Sequence, residues 1–280
     1  MEIELFKAFA DKPDQGNPAG VIFNADNLTQ DRMIEIAATL NYSESVFIVK
    51  PSTSEADYRL RFMTSITEVD SCGHATLAGA QAIYEKKPFN EIKVETGAGI
   101  LSVYREEDGS LMMKMARSEL VDKEYDKTEI GKLLGIRPSD MFDLPIITAS
   151  VGSPKLMIPV KHLNIVETVQ PDFEAMIEFC KKYPVKGFYV FTKEVILPGS
   201  NFHARQFNPA AGIPEDPITG VAGGALALYA RAYNLIIHDQ IIIEQGFELG
   251  KPGRIVVQIN DGAVYVGGNA VRFGSKRLEI

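Results

Sequence analysis

The sequence is short of cysteine, of long apolar runs and of positive charge, and each shortage removes a class of protein. Only two cysteines, Cys72 and Cys180, occur in 280 residues. That is too few for a disulfide framework and natural in a reducing compartment. Neither C-x-x-C nor H-x-x-x-H occurs, so the paired spacings of zinc ligands are missing and no metal is expected. No Walker-type or G-x-G-x-x-G loop stands between a strand and a helix to cradle phosphate. The apolar runs fall well below the ~20 residues that a membrane span needs. The opening MEIELFKAF lacks the basic start and apolar stretch of a signal peptide. Lys and Arg number 29 against 37 Asp and Glu, giving a net charge of -8. Without a basic face, phosphate attraction is lost and nucleic acid is not an expected partner. The expectation is an acidic, soluble, cytoplasmic protein.

The composition is 45% hydrophobic and 24% charged, as in chains that bury a substantial core. The length allows one large domain or two ordinary ones. In TQDRMIEIAATL, Met33, Ile34, Ile36, Ala37 and Leu40 recur at helical spacing behind Thr29, a candidate cap. SVFIV (Ser45 to Val49) and YRLRFM read as strands, and ATLAGAQAIYEKK as a helix that begins just after Cys72-Gly73-His74. IKVET, GILSVYRE and SLMMKMA follow as strands. A connector with a short helix, DKTEIGKLLGI, precedes a second series: KLMIPV, the helix DFEAMIEFCKKY, GFYVFT, NFHARQF and the small-residue helix VAGGALALYARAY. IIIEQG, RIVVQIN and AVYVGG close the pattern as strands.

The second series repeats the first. An offset of 147 residues lays EVDSCGHA over EDPITGVA, so that Glu68, Gly73 and Ala75 recur as Glu215, Gly220 and Ala222, with Cys72 over Thr219. Each segment follows an Arg-containing strand and leads into a helix. So long a period indicates two similar lobes rather than a solenoid. A helix start offers unpaired N–H groups and partial positive charge, which suits a small anion. Gly73 and Gly220 would let a ligand approach the backbone closely.

His74 could donate or accept a proton near neutral pH, Glu44 in NYSESVF could take and return one, and Asp216 in the EDP turn could pair with an amine or hydrogen-bond a hydroxyl. The GNPAG turn, with Asn17, adds polar groups. Plainer readings stand beside these. His74 also reads as a helix-start residue bonded to backbone, and Glu44 as a surface carboxylate on an edge strand. Asp216 reads as an N-cap with Pro217 in the first turn, and Cys72 as a small buried residue. Cys180 reads as structural, and the isolated His162, His203 and His238 as non-ligands. A Cys72–His74 nucleophilic pair is not expected, because neighbours at a helix start diverge.

GNPAGV, SESVF, SCGHATLA, EDPITGVAGGALALY and EQGFELGKPG, in that order along nearly the whole chain, resemble the phenazine-biosynthesis isomerase (PhzF-like) family. The resemblance implies an α+β, diaminopimelate-epimerase-like fold of two pseudo-symmetric lobes. Each lobe would be a β-barrel-like sheet wrapped around a central helix, with the active site in the cleft between lobes. The lobes are placed at 1–117 and 118–280, the last strands returning to the first. A homodimer, no cofactor and a small carboxylate-bearing substrate are implied as well.

By the same resemblance, Glu44 corresponds to the glutamate that moves a proton between carbons of a dihydro-hydroxyanthranilate. His74 and Asp216 would hold and polarise the substrate. Asn17, Cys72, Gly73, Thr219, Gly220 and Val221 would line the anion site. Val221 replaces a family serine, which puts the phenazine substrate in question. Epimerases of this fold use a thiol at each helix entrance. Here Thr219 stands opposite Cys72, and its hydroxyl is too weak an acid for two-thiol chemistry. The leading expectation is therefore one-base proton transfer by Glu44. The alternatives are an amino-acid or hydroxy-acid epimerase or racemase, and a small-anion binder without catalysis.

Overall fold

In the computed structural model, which describes residues 1–115 and 117–278, strands dominate and a few helices pack on or inside them. Ala116, Glu279 and Ile280 lie outside the described residues, and with them the ends of the SLMMKMA strand and of the second lobe. The first half runs β1 (Glu2–Ala8), β2 (Asn17–Ile22), α1 (Gln30–Leu40), β3 (Glu44–Val49), β4 (Tyr58–Met63), β5 (Glu68–Val69), α2 (Gly73–Lys86), β6 (Glu91–Thr96), β7 (Gly99–Arg105) and β8 (Leu111–Lys114). The chain continues through β9 (Glu119–Val121), α3 (Lys127–Leu134), β10 (Ile147–Ser150), β11 (Lys155–Pro159), α4 (Leu163–Thr168), α5 (Phe173–Lys182), β12 (Phe188–Thr192) and β13 (Phe202–Asn208). It ends with β14 (Ile213–Asp216), α6 (Gly220–Ala232), β15 (Gln240–Gln245), β16 (Gly253–Asn260), β17 (Ala263–Gly268) and β18 (Ala270–Arg277).

Two compact units result: Met1–Lys114 with the chain from Gly267 onward, and Met115–Val266. The final strand, β18, pairs antiparallel with β1. The sequence reading stopped at β17, because Gly267-Gly268-Asn269 resembles a terminal turn and the charged AVRFGSKR lacks a clean alternation. Among the described residues no helix is long and apolar enough to cross a membrane.

The duplication is visible strand by strand within each unit. In the first, β1–β2 is antiparallel, β2–β3 parallel across α1, β3–β4 and β4–β5 antiparallel, β4–β6 parallel across α2, and β6–β7 antiparallel. In the second, β10–β11, β11–β12, β12–β13, β13–β14, β13–β15 and β15–β16 repeat those senses in the same order. Here α4 and α5 stand in place of α1, and α6 in place of α2. Each unit also carries an Arg–carboxylate fork at a matching position. Arg61 reaches Glu68 at 2.8 and 2.6 Å, and Arg205 reaches Glu215 at 2.8 and 2.9 Å. Glu68 lies opposite Met63, two residues past Arg61, and Glu215 opposite Phe207, two past Arg205. The planar guanidinium thus holds the short strand that delivers the helix start in both units.

The helices α2 and α6 are apolar on nearly every face, which marks core helices rather than amphipathic surface ones. In α2 the residues from His74 to Ala80, with Ala82 and Ile83, are buried. The helix packs on β1, β2, β3, β4, β8 and β18. In α6, Ala222 to Ala227, Tyr229 and Ala230 are buried, against β9, β10, β11 and β16. α1 fits the surface pattern instead, with Met33, Ile36, Ala37 and Leu40 inward and Thr29 accepting from the Arg32 N–H at 3.3 Å.

His203 is neither isolated nor exposed. On β13 it is fully buried, with Nδ1 2.9 Å from Glu244 and Nε2 2.8 Å from Glu248. Burial opposes its charge, but the hydrogen bonds to both glutamates outweigh it and raise the imidazolium to about 9. A folded-state value above the unfolded one stabilises the protein at low pH. The contribution is full below about pH 6.5 and is lost as pH rises through about 9. Urea midpoints taken across that window should fall for the wild type, by on the order of 3 kcal/mol in unfolding free energy at most. The fall should flatten in His203→Gln, and parallel profiles would count against the assignment.

Candidate functional site

Glu44 opens β3, with Ala19 of β2 and, further along, β4 as neighbours on either side. It is therefore not on an edge strand, and its side chain is 17% exposed. Oε2 lies 3.6 Å from His74 Nε2, which is also 3.5 Å from Ser43 Oγ. On the other side of the ring, Nδ1 lies 3.4 Å from Asn17 Nδ2 and 3.3 Å from Cys72 Sγ. The ring contacts found are thus with side chains, in contrast to the backbone-capping reading of His74.

The contact between Cys72 and His74 corrects the expectation that they diverge. Helical spacing does not apply to Cys72, because it is the N-cap and its backbone is extended (φ -151°, ψ 114°). Its side chain is therefore free of the helical screw and meets the residue two positions on. Cys72 provides no side-chain cap to the helix, so the first-turn N–H groups keep their outward-facing character. A Cβ at Gly73 would meet only Met113 Cε, at 3.6 Å, an ordinary contact. Packing therefore does not require glycine there, whereas close approach to the backbone is helped by it.

The second unit builds a different cluster at its own helix entrance. Asp216 ends β14 and is not the N-cap; Thr219 is, again with extended backbone and no side-chain cap to the helix. Pro217 forces the chain to stay extended past Asp216, which delays the helix. The Thr219 hydroxyl donates to Asp216 Oδ2 at 2.6 Å. Gln245 Nε2 donates to the Asp216 carbonyl at 2.8 Å. Gln245 Oε1 accepts from the Tyr189 hydroxyl at 3.0 Å and from the Thr219 N–H at 3.3 Å. Tyr189 is fully buried; burial first, and the Asp216 charge second, push its phenol far above the usual range, so it remains a donor. Lys155, almost fully buried, donates to the Lys186 carbonyl at 2.6 Å. Burial lowers its ammonium to about 8, against the opposing pull of Asp216.

Sequence reasoning missed Ser43, Tyr189, Lys155, Gln206 and Gln245 as neighbours of these groups. Gln245 carried a signal, since it belongs to EQGFELGKPG. Tyr189 did not: in GFYVFT it reads as another core aromatic.

The repeated topology allows the two entrances to be compared position by position. Phe47 faces Arg61 as Val190 faces Arg205, so Glu44 is matched by Gly187 and, at the offset of 147, His74 by Val221. At these two positions the first unit therefore carries a carboxyl and an imidazole and the second unit neither. At the matched position the second unit has a glycine whose backbone conformation disfavours any side chain. Gly187 has φ 136°, and a Cβ there would collide with Gln206 Nε2 and lie 3.1 Å from Lys155 Nζ. Gly187→Ala is expected to lower the unfolding free energy by about 2 kcal/mol or more, through strain and overpacking. Chemical denaturation measures it, and an unchanged midpoint would contradict the packing.

Comparison with known proteins follows the same line. The family described as phenazine biosynthesis-like protein matches residues 6–275. The uncharacterised isomerase YfhB of Bacillus subtilis is 35% identical, over 95% of this chain and 92% of its own. The trans-2,3-dihydro-3-hydroxyanthranilate isomerase of Pseudomonas aeruginosa is 30% identical, over 99% and 98%. The crystal structure of a Bacillus anthracis phenazine biosynthesis protein of the PhzF family superposes with a TM-score of 0.89 at 30% identity, over 100% of this chain and 99% of that one. With its duplicated α+β fold and these matches along its whole length, the chain belongs to the phenazine biosynthesis-like, PhzF-type family and is an isomerase of that family.

Proposed function

We propose that the protein moves a proton between two carbons of a small carboxylate-bearing substrate without a cofactor, with Glu44 as the single acid and base. The observation that carries this reading is the asymmetry of the duplicated frame. A carboxyl and an imidazole stand 3.6 Å apart at the first helix entrance, whereas Gly187 and Val221 occupy the matched positions of the second. A symmetric two-base mechanism would call for proton-carrying groups at both matched positions.

In the proposed step Glu44 takes a proton from one carbon. The electron pair left behind delocalises into the adjacent unsaturated system, and Glu44 returns the proton at another carbon, so that the double bond shifts and no atom is gained or lost. Charge building on the substrate carboxylate is met by the first-turn N–H groups at Gly73 and His74 and by the helix dipole. His74, held by Asn17, orients the Glu44 carboxyl and polarises the substrate. Asp216, fixed by Thr219 and Gln245, is proposed to bind a polar substituent of the substrate. Gly220 and Val221 would supply backbone groups at the second entrance. Val221, in place of the family serine, means that the substrate of the Pseudomonas relative serves as a first probe and not as an assignment.

A second reading, epimerisation through Cys72, draws on the 3.3 Å Cys72–His74 contact. The two are separable. With trans-2,3-dihydro-3-hydroxyanthranilate and related cyclic and acyclic unsaturated acids as probes, Glu44→Gln should reduce turnover about a hundredfold or more while ligand binding survives. Turnover in deuterium oxide should label the product at the carbon that receives the proton if the Glu44 proton exchanges with solvent before its return. Retained activity in Glu44→Gln, together with loss on alkylation of Cys72, would transfer the role to the thiol.

A further inference from the structure

The position that carries Glu44 in the first unit is filled from another strand in the second. In the first unit Ala19 of β2 is the partner of Glu44, and Gly20 that of Ser45. The matched strands of the second unit pair Leu156 with Phe188, so Lys155 takes the place of Ala19 and Gly187 that of Glu44. The long side chain has changed strands, and its charge has changed sign. A Cβ on Gly187 would lie 3.1 Å from Lys155 Nζ and collide with Gln206 Nε2, so the ammonium and the amide both reach over the bare glycine.

Lys155 is 4% exposed, and a buried ammonium is unfavourable unless an opposite charge is near. Among the described residues its one hydrogen bond goes to the uncharged Lys186 carbonyl, at 2.6 Å. Gln206 adds nothing to it, since its Oε1 is buried without a partner. The groups whose charges act on the ammonium are Asp216, Cys180 and Lys186. Burial pushes the Cys180 thiol up, so it is neutral near neutral pH, and Lys186 repels. Tyr189, on the neighbouring strand, stays a protonated phenol. Asp216 is left as the anion, and the sheet brings it to the same face. Tyr189 is paired with Gln206 and Gln206 with Asp216, in one cross-strand row. Met157 extends that row on β11, and Lys155, two residues before it, points the same way. With Asp216 pulling against burial, the ammonium is held at about 8 and is charged at neutral pH.

We propose that Lys155 is the counter-ion of Asp216, a positioning residue whose buried ammonium keeps that carboxylate ionised, so that it accepts a hydrogen bond from a hydroxyl or amine of the substrate. The pairing is built within the second unit alone. Its bearing on the substrate rests on the proposed role of Asp216.

Titration followed by NMR on isotope-labelled protein tests the pairing without any ligand. In Asp216→Asn the assigned Cε signal of Lys155 should titrate about one pH unit or more below the wild type. In Lys155→Met the side-chain carboxyl of Asp216 should titrate higher by a similar amount, because coupling between two sites is reciprocal. Circular dichroism confirms that each variant is folded, and the Asp216→Asn arm decides alone if Lys155→Met does not fold. Unmoved titrations overturn the pairing, whatever Glu44 does. The effect on the substrate is read in Glu44→Gln, with trans-2,3-dihydro-3-hydroxyanthranilate as the probe and calorimetry as the measure. On acidification its affinity should fall off about one pH unit higher once Lys155→Met is added. If the titrations move and this affinity does not, the ion pair stands and the role of Asp216 toward the substrate fails. Retained turnover in Glu44→Gln would remove the proton-transfer reading and leave the pairing in place.

Discussion

Burial of a helix that is apolar on all sides is the constraint from which the rest of each unit follows. α2 and α6 are built from Ala, Gly and aliphatic residues and have no face that water would accept. The sheets of each unit must cover them, and most of the strands that do so are buried along nearly their whole length. Once the flanks are covered, the helix ends are where polar backbone groups must still find partners. The N-terminal end carries partial positive charge, and in neither helix does the N-cap side chain bond back to the first turn.

Duplication supplies two such ends, and divergence has given them different tasks. The Arg61–Glu68 and Arg205–Glu215 forks keep the short strand before each helix in the same register. Within that common frame the first unit carries Glu44 and His74. The second carries Gly187 and Val221 at the matched positions and brings its carboxylate, Asp216, from the strand instead. Buried hydrogen bonds from Thr219, Gln245 and Tyr189 hold that carboxylate and its surroundings in one arrangement. The difference between the matched positions is what the proposed one-base transfer by Glu44 would require.

Much of the fold was legible because its signals are local. The 3.6-residue periodicity of Gln30–Leu40 behind Thr29, the alternation of Tyr58–Met63 and the small-residue runs after Cys72 and Thr219 all became the elements their patterns implied. The recurrence of Glu, Gly and Ala at an offset of 147 residues disclosed the duplication, since both copies must satisfy the same turn and helix-start geometry. Less legible were features whose cause lies across the chain. β18 exists because β1 offers a free edge, and His203 is charged in the core because Glu244 and Glu248 arrive from β15 and the turn after it.

By itself the sequence determined the element order, the two buried helices, the residues at their entrances and the family. These depend on periodicity, capping and motif, each confined to a few consecutive residues. Only the tertiary structure decided which side chains meet. It joined Cys72 to His74 because an extended N-cap escapes helical spacing, and placed Glu44 on an interior strand beside them. It also moved the second helix start from Asp216 to Thr219, and gave Gly187 a backbone conformation that disfavours any side chain. Such contacts depend on backbone direction and strand pairing across scores of residues, which no local pattern encodes.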